Sequence, residues 1–478
     1  MNKMKRIIAS ILLTAVMLTC MIGTLTSCFG GGNQQAADFV MPEGGFDTET
    51  PITITFYHSM GANLQAILET AIKDFNKIYP NITIEHTSYG DYDGVRKQIQ
   101  TEITVGGQPN LAYCYPDHIA LYNEAGAVQT LDVLIEDPAY GFTQEQLDDF
   151  IQGYYQEGNA FGDDQMYSLP ISKSTEVLYY NKTFFDQHGL KVPTTWEEMA
   201  EVCAQIREID DKSIPLGYDS EANWFITMCE QYGSAYTSAS GENFLFDNDT
   251  NRDFVKMFRE WYQNKWVTTQ ELSGGYTSAL FTGKSSSSTS ESKVPEGTRS
   301  YMCIGSTGGA SYQQPNIVNG VPEFEVGIAS IPQVNPDKPK VISQGPSVCI
   351  FKKDNPQEVL ATWLFAKFLT TNIDFQAGFS MTNGYAPVIK SVSENEIYAE
   401  FLENASTLNI QAYAVKVALA QEAAYYSSPA FNGSSVAREQ VGYLMQQCLV
   451  LENDQTIDAD IKKAFEDCVA RCKYESGQ

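Results

Sequence analysis

Residues 52–89 read ITITFYHSMGANLQAILETAIKDFNKIYPNITIEHTSY, and this run decides the fold class. Its first nine residues have the β-branched and aromatic composition of a buried strand. Leu64, Ile67, Leu68, Ala71, Ile72, Phe75 and Ile78 then recur at helical spacing until Pro80 stops them. Asn81–Tyr89 returns as a second strand. Strand, helix and strand joined by short connections predict parallel pairing through a right-handed crossover.

Downstream the alternation continues. VLYYNKTFF (177–185) reads as a strand running into a turn, and TTWEEMAEVCAQIREI (194–209) as a helix with a threonine cap. Glu197 and Glu198 fall in its first turn, where the helix dipole favours acids. DKSIPLGY (211–218) is a turn leading into a strand, and QEVLATWLFAKFLT (357–370) and QTIDADIKKAFEDCVARC (455–472) are late helices. The roughly 430 residues from Pro51 exceed what one core organises, which predicts two α/β domains. GKSSSSTSESKVPEGT (283–298) has almost nothing to bury and reads as a disordered surface loop.

Upstream, Lys3, Lys5 and Arg6 precede the apolar run Ile7–Ile22, the order of a secretory signal. The run is at the short end for a bilayer span and lacks a basic stop-transfer flank. Leu25-Thr26-Ser27-Cys28 looks like a bacterial lipobox, which makes residues 1–27 a lipoprotein signal peptide and Cys28 the acylated residue, carrying diacylglycerol and palmitate. Multiple acyl chains give durable anchoring where one gives marginal binding. Residues 28–50, rich in Gly, Gln and acids, read as a flexible linker above the membrane.

The formal charge of −28, from 59 acidic and 31 basic side chains, repels nucleic acid and anionic headgroups. Of ten cysteines, Cys20 leaves with the signal and Cys28 takes the lipid. The other eight are scattered through apolar patterns with no CxxC pair and read as small core residues; no pairing is assigned. No HExxH, GxSxG or post-strand GxGxxG occurs. Gly283-Lys284-Ser285 imitates the end of a P-loop, but Ser278 stands where that loop needs glycine. DNDTNRD (247–253) imitates a calcium loop, yet Arg252 and Phe258 occupy the glycine and glutamate positions, so helix capping or a solvated turn is the better reading. The four histidines have no ligand spacing, so neither metal nor cofactor is expected.

What remains is a series of polar and aromatic clusters at predicted strand ends: FYHSMG (56–61), YPDH (115–118), PISKSTEVLYYNK (170–182), NWF (223–225), GSTGG (305–309), SQGPS (343–347) and NGYAPV (383–388). Ligands of open α/β sheets bind at the carboxyl ends of strands, which makes these the candidates for a pocket.

Their order resembles the extracellular solute-binding proteins of carbohydrate ABC importers, the family of maltose- and glycerol-phosphate-binding proteins. The likeness runs from about Ile52 to about Val388, most specifically in TFYHSM, AIKDFNKIYPNITIE, SLPISKSTEVLYYNKTFFDQHGLKVPTTWEEM and NGYAPV. It implies an α/β, two-lobe periplasmic-binding-protein-like fold of type II. Each lobe is a mainly parallel sheet flanked by helices, with a hinge between lobes crossed more than once and a ligand in the cleft. The expected division is 51–172 and 299–342 for the first lobe, 173–298 and 343–478 for the second. The resemblance places Tyr57, His58, Ser59 and Asn63 along the first lobe, with Asp117 accepting sugar hydroxyls. Ser172, Lys173 and Ser174 fall at the crossing, Trp224 offers a ring face, and Ser306, Gly308, Gly345 and Tyr385 complete the ligand-binding set. Glycerol-phosphate members carry a basic residue in the segment that here reads YYSSPAFNGSS (425–435), which has none, and Asn63 stands where they have an acid. Both departures lower a phosphorylated ligand, while Lys173 keeps it open. The expectation is a non-enzymatic, monomeric substrate-binding lipoprotein on the outer face of the bacterial cell membrane. It would capture a sugar or oligosaccharide for ABC permease subunits and bind no nucleic acid; the alternatives are a surface-anchored carbohydrate-active enzyme or a binder of a glycerol-phosphate-type ligand.

Overall fold

The computed structural model describes residues 39–284 and 292–478, so Cys28, the expected signal peptide and residues 285–291 of the serine-rich run lie outside the described residues. The opening run folds as predicted, into β1 (Ile52–His58), α1 (Ala62–Ile78) and β2 (Ile82–Ser88). β1 and β2 are parallel, with Ile52 opposite Ile82. Ile52, Ile54, Phe56 and His58 point to the buried side, and α1 covers them with Leu68, Ala71 and Phe75.

The chain continues through α2 (Tyr92–Ile103), whose cap is Asp91, then β3 (Leu111–Cys114), α3 (Pro116–Glu124) and β4 (Leu169–Pro170). It then enters a second sheet as β5 (Glu176–Asn181), α4 (Lys182–His188), α5 (Trp196–Ile209), β6 (Leu216–Tyr218), α6 (Glu221–Tyr232), α7 (Asp249–Gln263), β7 (Val267–Thr269) and β8 (Met302–Ser306). A small hairpin, β9 (Ile317–Val318) and β10 (Val321–Pro322), precedes β11 (Val326–Ser330) and β12 (Val341–Ile342). The chain returns with β13 (Ser347–Ile350), α8 (Pro356–Thr371) and α9 (Ile373–Asn383), and finishes with α10 (Ile410–Ala420), β14 (Tyr425–Tyr426), α11 (Ser434–Leu449) and α12 (Ile457–Glu475). The turn expected after VLYYN is instead α4, because Asn181 accepts a bond from the Phe184 N–H and starts a helix. α5 carries a capping box between Thr195 and Glu198. In the calcium-loop imitation, Asn248 caps α7 and Arg252 is paired with Asp247.

Strand order is β2-β1-β3-β13-β4 in the first sheet and β11-β5-β8-β6-β7 in the second. Each sheet therefore contains a strand antiparallel to its neighbours, β13 and β5. Both are the strands by which the chain enters a lobe from the other one, so they run away from the cleft while their neighbours run toward it.

This topology corrects the expected division. β8 and β11, within 299–342, pair in the second sheet through β5. β13 pairs with β3 in the first, and α8 and α9 supply Trp363, Phe365, Phe375 and Phe379 to the first core. The division implied by the resemblance thus fails after residue 298, because the chain crosses back to the first lobe at 343–346. The linker is also shorter than expected. Phe39 and Phe46 are buried in the first core, the Phe46 N–H donates to the Tyr140 hydroxyl (2.9 Å), and the Asp47 N–H donates to Gln357 Oε1 (3.0 Å). All eight described cysteines are buried and unpaired, as their apolar contexts predict.

Three segments meet where the lobes join: 171–175, 343–346 and 384–388. Backbone bonds tie them into a ribbon, between Ser174 and Gln344 (2.7 and 2.9 Å) and between Lys173 and Ala386 (3.1 and 2.6 Å). Gly345 sits in the ribbon at φ +103°, and a Cβ there would lie 2.7 Å from the Ser172 carbonyl oxygen, so only glycine fits.

Candidate functional site

A cavity of about 700 Å³ lies between the lobes. Its walls are the residues that follow strand ends: Tyr115–His118 after β3, Asp219–Ala222 after β6, Gln270 and Glu271 after β7, Ser343 and Gln344 after β12, and Ser427 after β14. α2 contributes Tyr92, Asp93, Arg96 and Lys97, and α11 contributes Arg438, Glu439 and Tyr443. The rule that pockets form at carboxyl ends of strands is thus followed by both sheets.

Several wall atoms carry unspent hydrogen-bonding capacity. His118 Nδ1, the Tyr236 hydroxyl and Ser343 Oγ are buried and have no protein partner. Such atoms cost ~1–3 kcal/mol each when left unpaired, and all three line the cavity, so a ligand is the natural partner. Burial holds the His118 imidazole below its usual range, leaving it neutral, able to donate or accept.

Behind the wall runs a connected network. Arg438 donates to Asn223 Oδ1. Asn223 Nδ2 donates to Glu176 Oε1 (2.9 Å) and Gln344 Oε1 (3.0 Å), and the Tyr218 hydroxyl donates to Glu176 Oε2 (2.7 Å). Withdrawal from water pushes Glu176 up to about 7, against the opposing pull of the Tyr218 and Asn223 bonds and Arg438. Asp219 is pushed up to about 6 by the same withdrawal, offset by bonds from the Thr277 N–H and hydroxyl (both 2.7 Å). The network fixes the Arg438 guanidinium, a planar donor array facing the cavity.

Of the site residues expected from sequence, Asp117 lines this cavity and the others do not. Trp224 lies in the second core, fully buried, stacked on Tyr218 (4.9 Å between centroids, 16°) and against Phe258 (4.2 Å); its apolar surface faces the core, so it offers no ring face to a ligand. Lys173 is fully buried and donates to the Glu157 carboxylate, to the Gly345 carbonyl (3.2 Å) and to Ser347 Oγ (3.1 Å). Its charge is spent on the hinge. Glu157 also accepts from Ser427 Oγ (3.1 Å), which connects that ion pair to the cavity wall.

Tyr57 turns toward α2, its ring 4.8 Å from Tyr89 and its hydroxyl donating to Glu102 Oε1 (3.2 Å). His58 is buried at the end of β1, where its Nδ1 accepts from the Met60 N–H (3.1 Å) and its Nε2 faces His86 Nδ1 (3.0 Å); burial, then His86, pushes it down to about 4. Ser59 is half-buried beside it, and Asn63 is exposed on α1. Ser172 and Ser174 are buried in the crossing. Ser306 Oγ accepts from the Gly308 N–H (3.1 Å), and Gly308 lies beneath the Tyr385 ring, whose hydroxyl meets that of Tyr92 (3.3 Å). The cluster YPDH fared better than the resemblance, since all four of its residues line the cavity. Arg438 lies just beyond the segment 425–435, so the lack of a basic residue there does not extend to the cleft. A cation is therefore present in the cleft, in place of the absence read from 425–435.

A family model described as bacterial extracellular solute-binding protein matches residues 70–405. Among curated relatives, the sn-glycerol-3-phosphate-binding periplasmic protein of Salmonella typhimurium is 23% identical over 72% of this chain and 75% of its own length. The multiple sugar-binding protein of Streptococcus mutans is 27% identical over 38% of this chain and 40% of its own. Among solved structures, the cyclic α-maltosyl-1,6-maltose binding protein from Arthrobacter globiformis covers 89% of this chain and 100% of its own with a TM-score of 0.67 at 16% identity. UgpB from Mycobacterium tuberculosis, solved with glycerophosphocholine, covers 88% and 98% with a TM-score of 0.67 at 18% identity.

Proposed function

The chain belongs to the bacterial extracellular solute-binding proteins, and from that premise we propose that it is the substrate-binding lipoprotein of an ABC importer, capturing a sugar or oligosaccharide in the inter-lobe cleft for a membrane permease. The observation that carries the ligand class is the cavity wall. Tyrosine rings suit the apolar faces of sugars, while the unpaired His118, Tyr236 and Ser343 atoms, with Asp117 and Arg438, suit their hydroxyls. Acids Asp93, Asp117, Glu157, Asp219, Glu221, Glu271 and Glu439 outnumber Arg96, Lys97 and Arg438 on that wall, which disfavours an anion. The protein works by binding and release, without turnover, and the three-segment ribbon is the hinge about which the lobes close.

A glycerol-phosphate-type ligand is the second reading, favoured by Arg438 and by two of the four relatives, the sn-glycerol-3-phosphate-binding protein and the protein solved with glycerophosphocholine. Titration with mono- and oligosaccharides and with sn-glycerol-3-phosphate, followed by tryptophan fluorescence and melting temperature, tests the proposal. Saturable sugar binding without product supports it, and product formation refutes it. Saturation by sn-glycerol-3-phosphate alone moves the assignment to the second reading. Lipid anchoring through Cys28 is part of the same proposal: Cys28→Ala should release the protein from the membrane fraction into the medium, and retention would refute the anchor.

A further inference from the structure

The cluster NWF (223–225) sends its tryptophan into the core, but its polar member stands directly behind the cleft. Asn223 lies in the first turn of α6, where its backbone N–H donates to the capping Ser220 Oγ (3.2 Å), and it is 4% exposed. Every polar atom of its amide is used. One side-chain N–H donates to Glu176 Oε1 at the start of β5 (2.9 Å), the other to Gln344 Oε1 in the crossing 343–346 (3.0 Å), and Oδ1 accepts from Arg438 of α11. The chemistry of the partners fixes which way the amide points, since a guanidinium only donates and an ionised carboxylate only accepts.

Two of those partners are themselves held. Glu176 is buried and also accepts from the Tyr218 hydroxyl (2.7 Å), and Gln344 is pinned through its backbone to Ser174 (2.7 and 2.9 Å). Arg438 differs. Its bond to Asn223 is the one side-chain bond it makes among the described residues, and it lines the cavity, so the rest of its planar donor fork is left to a ligand. Other small side chains could not replace this amide: aspartate has no donor for Glu176, serine has a single donor, and alanine has neither donor nor acceptor.

We propose that Asn223 is the positioning residue of ligand capture: it presents the Arg438 guanidinium to the cleft and ties it to the crossing 343–346, so that the cation keeps one place relative to the hinge. Affinity then depends on a side chain that does not itself line the cavity. The inference rests on the binding reading above and on neither ligand class, because an oriented guanidinium serves sugar hydroxyls and phosphate oxygens alike.

The test uses the full chain and a panel of neutral mono- and oligosaccharides with sn-glycerol-3-phosphate, with dissociation constants measured by calorimetry for each member that saturates. Arg438→Ala should weaken the best-bound member by about tenfold or more, the loss of a hydrogen bond to a charged group. Asn223→Ala should weaken it by about two- to tenfold, the range for a long side chain that must be ordered on binding. In an Arg438→Ala background, Asn223→Ala should cost no further affinity, whereas a merely structural role would add its loss in either background. The exchanged pair, Asn223→Asp with Glu176→Gln, reverses donor and acceptor between the two side chains and keeps an oxygen for Arg438, so it should bind more tightly than Asn223→Ala. Melting temperatures record that each variant is folded. Should Asn223→Ala not fold, Asn223→Ala with Glu176→Gln, which leaves no carboxylate buried without its donor, takes its place in the cycle. Additive losses, an affinity unchanged by Arg438→Ala or by Asn223→Ala, or an exchanged pair that binds no better than Asn223→Ala overturns the inference while leaving the binding function in place. Saturation by no member of the panel overturns both.

Discussion

Trp224 offers the sharpest test of structure against sequence pattern. Its ring is fully buried, stacks on Tyr218, packs on Phe258, and has an Nε1 that finds no acceptor. Trp224→Ala should therefore cost ~3–5 kcal/mol of unfolding free energy, the range for emptying a large aromatic from a closed core. Trp224→Phe should cost far less, ~1–2 kcal/mol at most, because the lost area is partly offset by removing an unpaired N–H whose burial is itself worth ~1–3 kcal/mol. Urea unfolding followed by circular dichroism measures both, and sugar affinity is then measured well below the melting temperature. If Trp224→Ala left stability within ~1 kcal/mol of the parent but removed sugar binding, the ring would belong to the ligand site and the core assignment would be wrong.

Three further outcomes follow from particular contacts. Lys173→Met leaves the Glu157 carboxylate buried without its cation and should destabilise by ~3–5 kcal/mol, with Glu157→Gln added on top recovering part of the loss in denaturant titrations. Asp219 and Glu176 have folded values of about 6 and 7 against 3.8 and 4.5 unfolded, so the folded state holds their protons longer. Their stabilisation is complete below about pH 4 and is lost as pH rises through about 6 to 7, and a scan of melting temperature from pH 5 to 8 should fall less steeply in Asp219→Asn and Glu176→Gln; for Glu176 the full swing is at most ~3 kcal/mol. Gly308→Ala places a Cβ 2.7 Å from Tyr385 Cζ and should lower stability by ~1–3 kcal/mol while displacing that ring, seen as a reduced melting temperature together with weaker ligand binding.

Period and punctuation made the fold legible. The β1-α1-β2 unit, the α5 capping box and the burial of the cysteines all follow from residue pattern alone. The lobe boundaries did not, because a crossing segment such as 343–346 is short and polar like any turn. Strand-end clusters located YPDH and Ser343–Gln344 on the cavity wall, since chain direction relative to the cleft is a property of the fold class. Arg438 sits in the middle of no cluster and reaches the cleft because α11 touches α3, a contact between residues more than three hundred positions apart that no local pattern encodes.

The interleaving of the two sheets also dictates an order of assembly. Every strand of the second sheet lies between residues 176 and 330, whereas the first sheet is incomplete until β13 arrives, with Cys114 bonding to a Ser347 carbonyl 233 positions away. As a chain emerges from amino to carboxyl end, the half made first must therefore wait with β3 unpaired along one edge while the half made second can close its sheet. Non-local pairing of this kind slows folding and leaves an open edge exposed meanwhile. The exported polypeptide thus has its period of greatest vulnerability before residue 350 has emerged, at β3 rather than at its growing end.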